Sequence, residues 1–291
     1  MADLEPRCLW EVGATLGEGA LWHAAAGQVW FVDIKGRRLH CFEPESGVRR
    51  SWDAPGQVSF IVPVAGGGFA CALEDGLYRF VEESGAFVPL LQVEADQPGN
   101  RFNDGHVDAA GRLWFGSMDD AEDGASGALY RYDGRTAERM DDGYVITNGP
   151  AIAPDGRTLY HTDTLAKCIY AFDLLDDGSL ADKRLFTELA DGGYPDGMAV
   201  DAEGHLWVAT FGGWRIDRFD PQGRKVGEVR FPCANITKLA FGGADLRTVY
   251  ATTARKGLSA AQLEAQPLAG GLFTFRADVP GLPQHALRLQ E

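Results

Sequence analysis

Side chains that carry oxygen recur at the beginning of short apolar segments along this sequence. Glu18, Asn103, Asn148 and Asp196 stand at such positions, and less sharply defined equivalents fall near residues 58–59 and 235–237. Carboxylates and carboxamides suit hard or borderline divalent cations such as Ca²⁺, Mg²⁺, Mn²⁺ or Fe²⁺. Asp-Gly and Asn-Gly are also ordinary turn dipeptides. A purely structural use of these residues is therefore the competing interpretation.

Three further side chains are candidates for contact with a small polar ligand. Arg101 lies two positions before Asn103, and residues i and i+2 of a strand share a face, so both could grip ligand oxygens. A surface ion pair is the alternative for Arg101. Trp214, in the glycine-flanked FGGWR segment, is a candidate wall of a substrate site. His161 could take part in catalysis, although a packed histidine is the commoner outcome.

The elements that must position these residues repeat along the chain. Segments 103–119, 148–163 and 196–211 match closely, and looser copies begin near residues 17, 58 and 235. Each contains an apolar strand, a turn and a second strand rich in Trp, Tyr, Leu and Val. Six such units at intervals of roughly 40 to 50 residues are typical of propeller blades. We predict an all-β, six-bladed β-propeller, one domain over residues 1–291, whose central channel gathers the oxygen ligands.

The ring must also close, because an open propeller would expose a sheet edge. We expect residues 8–13 to join the last blade beside residues 271–278. Residues 259–266, with the sequence SAAQLEAQ, are predicted to form a helical insertion. Trp22, Trp30, Trp114 and Trp207 recur at equivalent positions and are predicted to lie in the core.

Composition narrows the range of partners. The formal net charge of −15 argues against nucleic acid and anionic membranes, which require a basic surface. There is no apolar run of membrane-spanning length, no signal-peptide pattern at the N-terminus and no paired Cys-x-x-Cys among five cysteines. These features predict a soluble, cytoplasmic protein with free thiols. We expect a monomer.

Four motifs resemble the senescence marker protein/regucalcin/gluconolactonase family. They are LGEGALW, NRFNDGHVDAAGRLWFGSM, TNGPAIAPDGRTLYHTDT and YPDGMAVDAEGHLWVA, beginning at residues 16, 100, 147 and 194, and they occur in the family's order. The segments TTARKGLS and PLAGGLF, near the end of the chain, are similar to those of bacterial aldonolactonases such as xylono- and arabinolactonases. The resemblance covers nearly the whole chain and implies a six-bladed propeller with one catalytic divalent cation.

The resemblance also implies roles for particular residues. Glu18, Asn148 and Asp196 would hold the cation, which could be Ca, Mn, Fe, Mg or Zn, and Arg101 and Asn103 would hold a sugar lactone. Some relatives carry a substrate-side glutamate three residues after the methionine equivalent to Met118. Here that position is Ala121, and which of the surrounding acids Asp119, Asp120 and Glu122 takes the place of the glutamate stays open. Asp119 is predicted to contact the substrate.

We therefore predict metal-dependent hydrolysis of a pentono- or hexonolactone to the aldonic acid. Asp196 would act as both ligand and general base, because a carboxylate within hydrogen-bond reach of water can accept its proton. Two alternatives stay open: a calcium-binding or scaffold propeller without turnover, and a related esterase or phosphotriesterase.

Overall fold

The alternating apolar and polar segments form antiparallel strands in six four-stranded sheets. The computed structural model describes residues 4–190 and 192–290. After β1 (Arg7–Trp10), the first three sheets follow in chain order. They are β2 (Gly17–His23), β3 (Gln28–Asp33), β4 (Arg38–Phe42) and β5 (Arg49–Asp53); β6 (Ile61–Pro63), β7 (Phe69–Leu73), β8 (Gly76–Val81) and β9 (Ala86–Gln92); and β10 (Asn100–Val107), β11 (Leu113–Asp119), β12 (Gly127–Tyr132) and β13 (Ala137–Tyr144).

The remaining sheets continue the pattern, and the last one closes the ring. Blades four to six contain β14 (Thr147–Ile152), β15 (Thr158–Asp163), β16 (Cys168–Leu174) and β17 (Leu180–Glu188); β18 (Tyr194–Val200), β19 (Leu206–Phe211), β20 (Arg215–Phe219) and β21 (Lys225–Arg230); and β22 (Ile236–Gly242), β23 (Thr248–Thr253) and β24 (Leu272–Arg276). Strand β1 is the outer strand of blade six and pairs with β24. The six-bladed β-propeller and its closing strand are confirmed.

The predicted helical insertion is also confirmed. Helix α1 (Ala260–Ala265) lies between β23 and β24, and Ser259 forms its N-terminal capping box with Gln262. The described part of the chain contains no helix with the length and hydropathy needed to cross a membrane.

The core consists of apolar layers between neighbouring blades. Among the described residues there are six such clusters, one at each blade interface around the ring. Trp30 and Trp114 are fully buried, and Trp22 and Trp207 are at most 8% exposed, as predicted. Burying these faces contributes about 25 cal/mol per Å² of apolar surface, which holds the blades around a common axis.

Each blade's first strand lines the channel, and most of these strands are irregular near the beginning. The pairing register shifts at Glu18/Leu21 in β2, Phe102/Gly105 in β10, Asn148/Ala151 in β14, Pro195/Met198 in β18 and Ile236/Lys238 in β22. A bulge bends the strand and re-aims side chains. At β14 the bulge contains Gly149 with φ +67°, a conformation that glycine adopts without steric cost.

The C-terminal strap, residues 280–290, crosses the channel end at which the inner strands finish. It is hydrogen-bonded to blade six through Leu246, to blade five through Ala202, to blade two through Pro63 and to blade three through Gly111. The strap forms no helix or strand of the sheets, and the repeat pattern of the sequence did not predict it.

Candidate metal and substrate site

A cavity of about 350 Å³ occupies the channel end at which the inner strands begin. Glu18 lines this cavity, whereas Gly19 to Leu21, further along the same strand, line a second cavity of about 580 Å³ at the opposite end. The strap lies over the second cavity through residues such as Pro283 and His285. The two cavities therefore occupy opposite mouths of one channel.

The structure brings Glu18, Asn148 and Asp196 together in the first cavity. They belong to blades one, four and five, and each is at most 4% exposed. Burial of this kind is costly for a carboxylate unless it is paired with a cation or hydrogen-bonded. The three side chains thus form a compact set of oxygen donors.

Hydrogen bonds between blades fix the orientation of Asn148. Its Oδ1 accepts from Asn103 Nδ2 at 2.9 Å, and its Nδ2 donates to Thr164 Oγ1 at 2.9 Å. The Thr164 hydroxyl donates in turn to the carbonyl oxygen of Pro195 at 2.9 Å. Because Pro195 immediately precedes Asp196, this chain of bonds links two of the candidate ligands. The Asn148 carbonyl oxygen retains a second lone pair for a cation.

Arg101 completes the hydrogen-bond network on the other side. Its Nε donates to Asp120 Oδ1 at 2.7 Å, and its Nη1 donates to Asn103 Oδ1 at 2.7 Å and to the Phe102 carbonyl at 2.9 Å. Lys35 also bonds Asp120, at 2.5 Å. Among the described residues, Arg101 Nη2 makes no hydrogen bond of its own. Arg101 and Asn103 both line the cavity, and this nitrogen is the donor left for a ligand.

The electrostatics of the candidate ligands favour a bound cation. Asp196 Oδ1 is buried and has no hydrogen-bond partner among the described residues, and Glu18 Oε2 accepts only from Gly19 N at 3.1 Å. Burial, followed by the Asp104 charge, raises the pKa of Glu18; burial, followed by the Glu18 charge, raises the pKa of Asp196. Asp196 Oδ1 lacks a hydrogen-bond donor, and the buried carboxylates of Glu18 and Asp196 repel each other. A divalent cation between them would satisfy the oxygen and offset the repulsion.

The candidate donor set combines two acids with one amide. Over residues 4–190 and 192–290, no three His, Cys, Asp or Glu side chains are grouped as ligands. The candidate set has two carboxylates, and its third member is the carboxamide of Asn148. Such a set leaves coordination positions for water or substrate.

The mouth of the cavity is spanned by an ion pair that the sequence analysis did not identify. Glu122, in the loop after β11, contacts Lys256, in the loop after β23, and both line the cavity. Glu122 has φ +64°, which turns the loop at this residue. Glu122, one residue beyond Ala121, therefore supplies a carboxylate to the mouth of the cavity.

Two predicted substrate contacts are not part of this cavity. The Asp119 carboxylate turns back into its own loop, where it accepts from the backbone amides of Ala121, Asp123 and Gly124 at 3.2, 2.9 and 2.7 Å. These bonds lower the pKa of Asp119. Asp119 therefore shapes the loop that carries Glu122, and the structure does not bring it into the cavity with the other predicted site residues.

Trp214 also lies outside the cavity. It has φ +62° and is 41% exposed, and its backbone pairs with Ala234 and Phe231 in the connection between blades five and six. The left-handed residue lies in the turn between β19 and β20 of blade five, and Phe211 lines the cavity. The structure does not bring Trp214 together with the other predicted site residues.

His161 is a packed residue. It is fully buried, lies outside the cavity, and meets the Tyr144 ring edge-on with 4.8 Å between ring centroids. Burial lowers the pKa of His161 to about 3, so its ring is neutral at physiological pH. The structure favours packing over catalysis for this histidine.

Comparisons with known proteins agree with this geometry. Residues 16–255 match the model of the SMP-30/gluconolactonase/LRE-like region. A 6-deoxy-6-sulfogluconolactonase from Pseudomonas putida is 34% identical over 278 residues, covering 94% of this chain and 96% of the relative. Regucalcin from Oryctolagus cuniculus is 34% identical over 300 residues, covering 98% and 99%. A calcium-binding protein, regucalcin, from Agrobacterium tumefaciens has a TM-score of 0.94 at 29% identity, covering 97% of each chain. The chain belongs to the SMP-30/gluconolactonase/LRE-like family.

Proposed function

We propose that this protein hydrolyses a sugar lactone, an aldonolactone of the pentose or hexose series, with a divalent cation held by Glu18, Asn148 and Asp196. The observation that carries the proposal is the convergence of these three buried oxygen donors in one 350 Å³ cavity, with Asp196 Oδ1 unpartnered there. A cavity of this size suits a monosaccharide-sized ligand. The similarity to a sulfogluconolactonase supports the lactone as substrate class.

Asp196 is the proposed general base. When bound, a divalent cation would polarise the lactone carbonyl and lower the pKa of an attacking water. Asp196 would help to hold the cation and would accept a proton from a water within hydrogen-bond reach of its carboxylate. Burial of the site excludes bulk water, which strengthens the electrostatic interactions inside it.

Arg101 and Asn103 are proposed to hold the sugar. Arg101 Nη2 can donate to a hydroxyl or ring oxygen, whereas both Asn103 amide hydrogens are already directed at Thr147 O and Asn148 Oδ1. Asn103 therefore accepts from a sugar hydroxyl through Oδ1 while it orients Asn148. Glu122 and Lys256 at the mouth face the end of the sugar remote from the reacting carbonyl.

The test is hydrolysis of a lactone panel by metal-stripped protein. Pentono- and hexonolactones, a simple aryl ester and a phosphotriester are assayed with Ca²⁺, Mn²⁺, Fe²⁺, Mg²⁺ or Zn²⁺ added back singly. We expect cation-restored turnover of aldonolactones, a fall of roughly 10³-fold or more in kcat for Asp196→Asn, and near wild-type kcat for the matched control Asp119→Asn. Preference for the ester or phosphotriester would overturn the substrate class, and wild-type kcat in Asp196→Asn would overturn the general base.

A cation-binding protein without turnover is the second candidate. The similarity to a structure described as a calcium-binding protein supports it, because the same three ligands could hold Ca²⁺ alone. Saturable Ca²⁺ binding together with lactone hydrolysis no faster than the spontaneous rate would favour this candidate.

A further inference from the structure

A buried ion pair lies across the channel beneath the candidate site. Lys238 Nζ of blade six donates to Asp104 Oδ2 of blade three at 2.5 Å, and the two side chains are 8% and 2% exposed. Both residues line the cavity at the opposite mouth. The pair therefore lies between the two cavities and forms the floor of the site.

The pair also contacts the backbone that follows two candidate ligands. The Asp104 carboxylate lies near the backbone N–H of Gly149, which follows Asn148. The aliphatic part of Lys238 passes Gly197, which follows Asp196; a Cβ added at Gly197 would lie 2.3 Å from Lys238 Cδ. Glycine at position 197 thus leaves the space that the lysine side chain occupies. Through these contacts, the ion pair adjoins the ligands of blades four and five.

The charges of this region balance when a divalent cation is present. Three buried carboxylates, Glu18, Asp104 and Asp196, interact with one another, and each also interacts with Lys238. Lys238 neutralises one negative charge, which leaves two. Arg101 belongs to a separate cluster, in which it and Lys35 both bond Asp120. A cation of charge +2 would bring the group of Glu18, Asp104, Asp196 and Lys238 to neutrality, and a low-dielectric site favours a neutral group.

We propose that Asp104 and Lys238 are positioning residues of the cation site, which hold the backbone after Asn148 and Asp196 and set at two the number of negative charges that face the cation. This inference rests on the cation site of the proposed function. It assigns no contact between either residue and the substrate.

The charge argument predicts opposite effects for the two halves of the pair. Asp104→Asn leaves the lysine charge unopposed beside the cation, so we expect Mn²⁺ affinity to fall at least about tenfold. Lys238→Met leaves a third carboxylate facing the cation, so we expect tighter affinity than in wild type. Both variants unpair a buried charge and should lower the melting temperature. A merely structural role would instead weaken Mn²⁺ binding in both.

The experiment is a calorimetric titration of metal-stripped full-length protein with Mn²⁺ alone. Thermal melting is measured on the same samples. The double variant Asp104→Asn/Lys238→Met restores charge balance and should bind within about threefold of wild type. If Asp104→Asn does not fold, the double variant takes its place in the comparison. The inference then requires that Lys238→Met binds Mn²⁺ more tightly than the double variant does.

The outcomes separate this inference from the proposed function. No saturable binding of Mn²⁺ by wild type would contradict the proposed cation site itself. Binding by wild type, with equal weakening in both single variants or no change in Asp104→Asn, would overturn the role of the ion pair and leave the proposed function standing.

Discussion

Replacing Arg101 by lysine tests the hydrogen-bond network of the site most directly. The guanidinium joins Asp120, Phe102 O and Asn103 Oδ1 through three bonds of 2.7–2.9 Å. A lysine keeps the charge but cannot reach Asp120 and Asn103 together, because it lacks the planar fork. Two of these bonds are lost, and each contributes about 1–1.5 kcal/mol. The free energy of unfolding should therefore fall by roughly 2–3 kcal/mol, which lowers the melting temperature by about 5 °C in a chain of this size.

Loss of the free Nη2 donor should appear mainly in KM. A hydrogen bond from a charged donor contributes about 1.5–3 kcal/mol, so kcat/KM should fall about 10- to 100-fold, with KM rising at least as much as kcat falls. Acid release from the preferred lactone gives both constants, and scanning calorimetry gives the melting temperature.

Lys35→Met is the matched control, because Lys35 bonds the same Asp120 from outside the cavity. This pair is partly exposed and contributes no more than about 1 kcal/mol. We expect a small loss of stability and a KM within twofold of wild type. Equal KM changes in Arg101→Lys and Lys35→Met would refute the assignment of Arg101 to the substrate, since both would then act only through Asp120.

Three further predictions concern the mouth, the loop and the core. Glu122→Gln and Lys256→Met should each raise KM several-fold and leave Mn²⁺ affinity unchanged; an unaltered KM in both would remove the ion pair from the substrate path. Asp119→Ala frees three loop amides, so limited proteolysis within residues 119–126 should accelerate and KM should rise; resistance equal to wild type would contradict this role. His161 has a pKa of about 3 when folded and near 6.5 when unfolded. The unfolded chain therefore takes up its proton first, and this histidine lowers the free energy of unfolding as pH falls below 6.5, by up to about 1.4 kcal/mol per pH unit. Urea denaturation at pH 7 and pH 4.5 should show a smaller loss for His161→Phe, and an identical loss would argue against it.

The sequence was sufficient for the architecture because the blade is a repeated local unit. Turns such as Asp155-Gly156 and the apolar strands beside them fall at regular intervals, and each blade can only bury its faces against the next one. Closure by β1 followed from the need to cover a sheet edge. These arguments require periodicity alone and no knowledge of individual side-chain directions.

The substrate side was less predictable because an aspartate in a loop has two uses. Asp119 could have pointed at a ligand, but the three backbone amides after it offer hydrogen bonds at short range. Aspartate commonly caps such turns, so this alternative could have been weighed. Trp214 lies outside the cavity for a different reason: its positive φ sets the direction of the turn, and a positive φ cannot be read from the residue type.

The sequence analysis did not identify Asp104 and Lys238 at the floor of the site, because side chains cease to alternate regularly between the two faces of a strand at a bulge. Arg101 and Asn103 were expected to share a face because they lie two residues apart on one strand. Both line the cavity. Asp104 should then have pointed away from the channel, but the register shift between Phe102 and Gly105 directs it inward as well. Lys238 lies one residue after Thr237, in a segment already singled out, and a similar register shift lies beside it.

Because of the C-terminal strap, the two mouths of the channel differ in how far their sequences can change without disturbing the fold. By joining blades two, three, five and six, it acts as a brace, and sequence changes at that mouth must preserve the backbone partners of the strap. Among the described residues, the loops at the other mouth are joined by side-chain contacts such as the Glu122–Lys256 ion pair and by no continuous segment of this kind, so residues such as Glu122 and Lys256 can be exchanged with little effect on the ring. A propeller built in this way can acquire a new substrate preference on one face while the opposite face maintains its mechanical integrity.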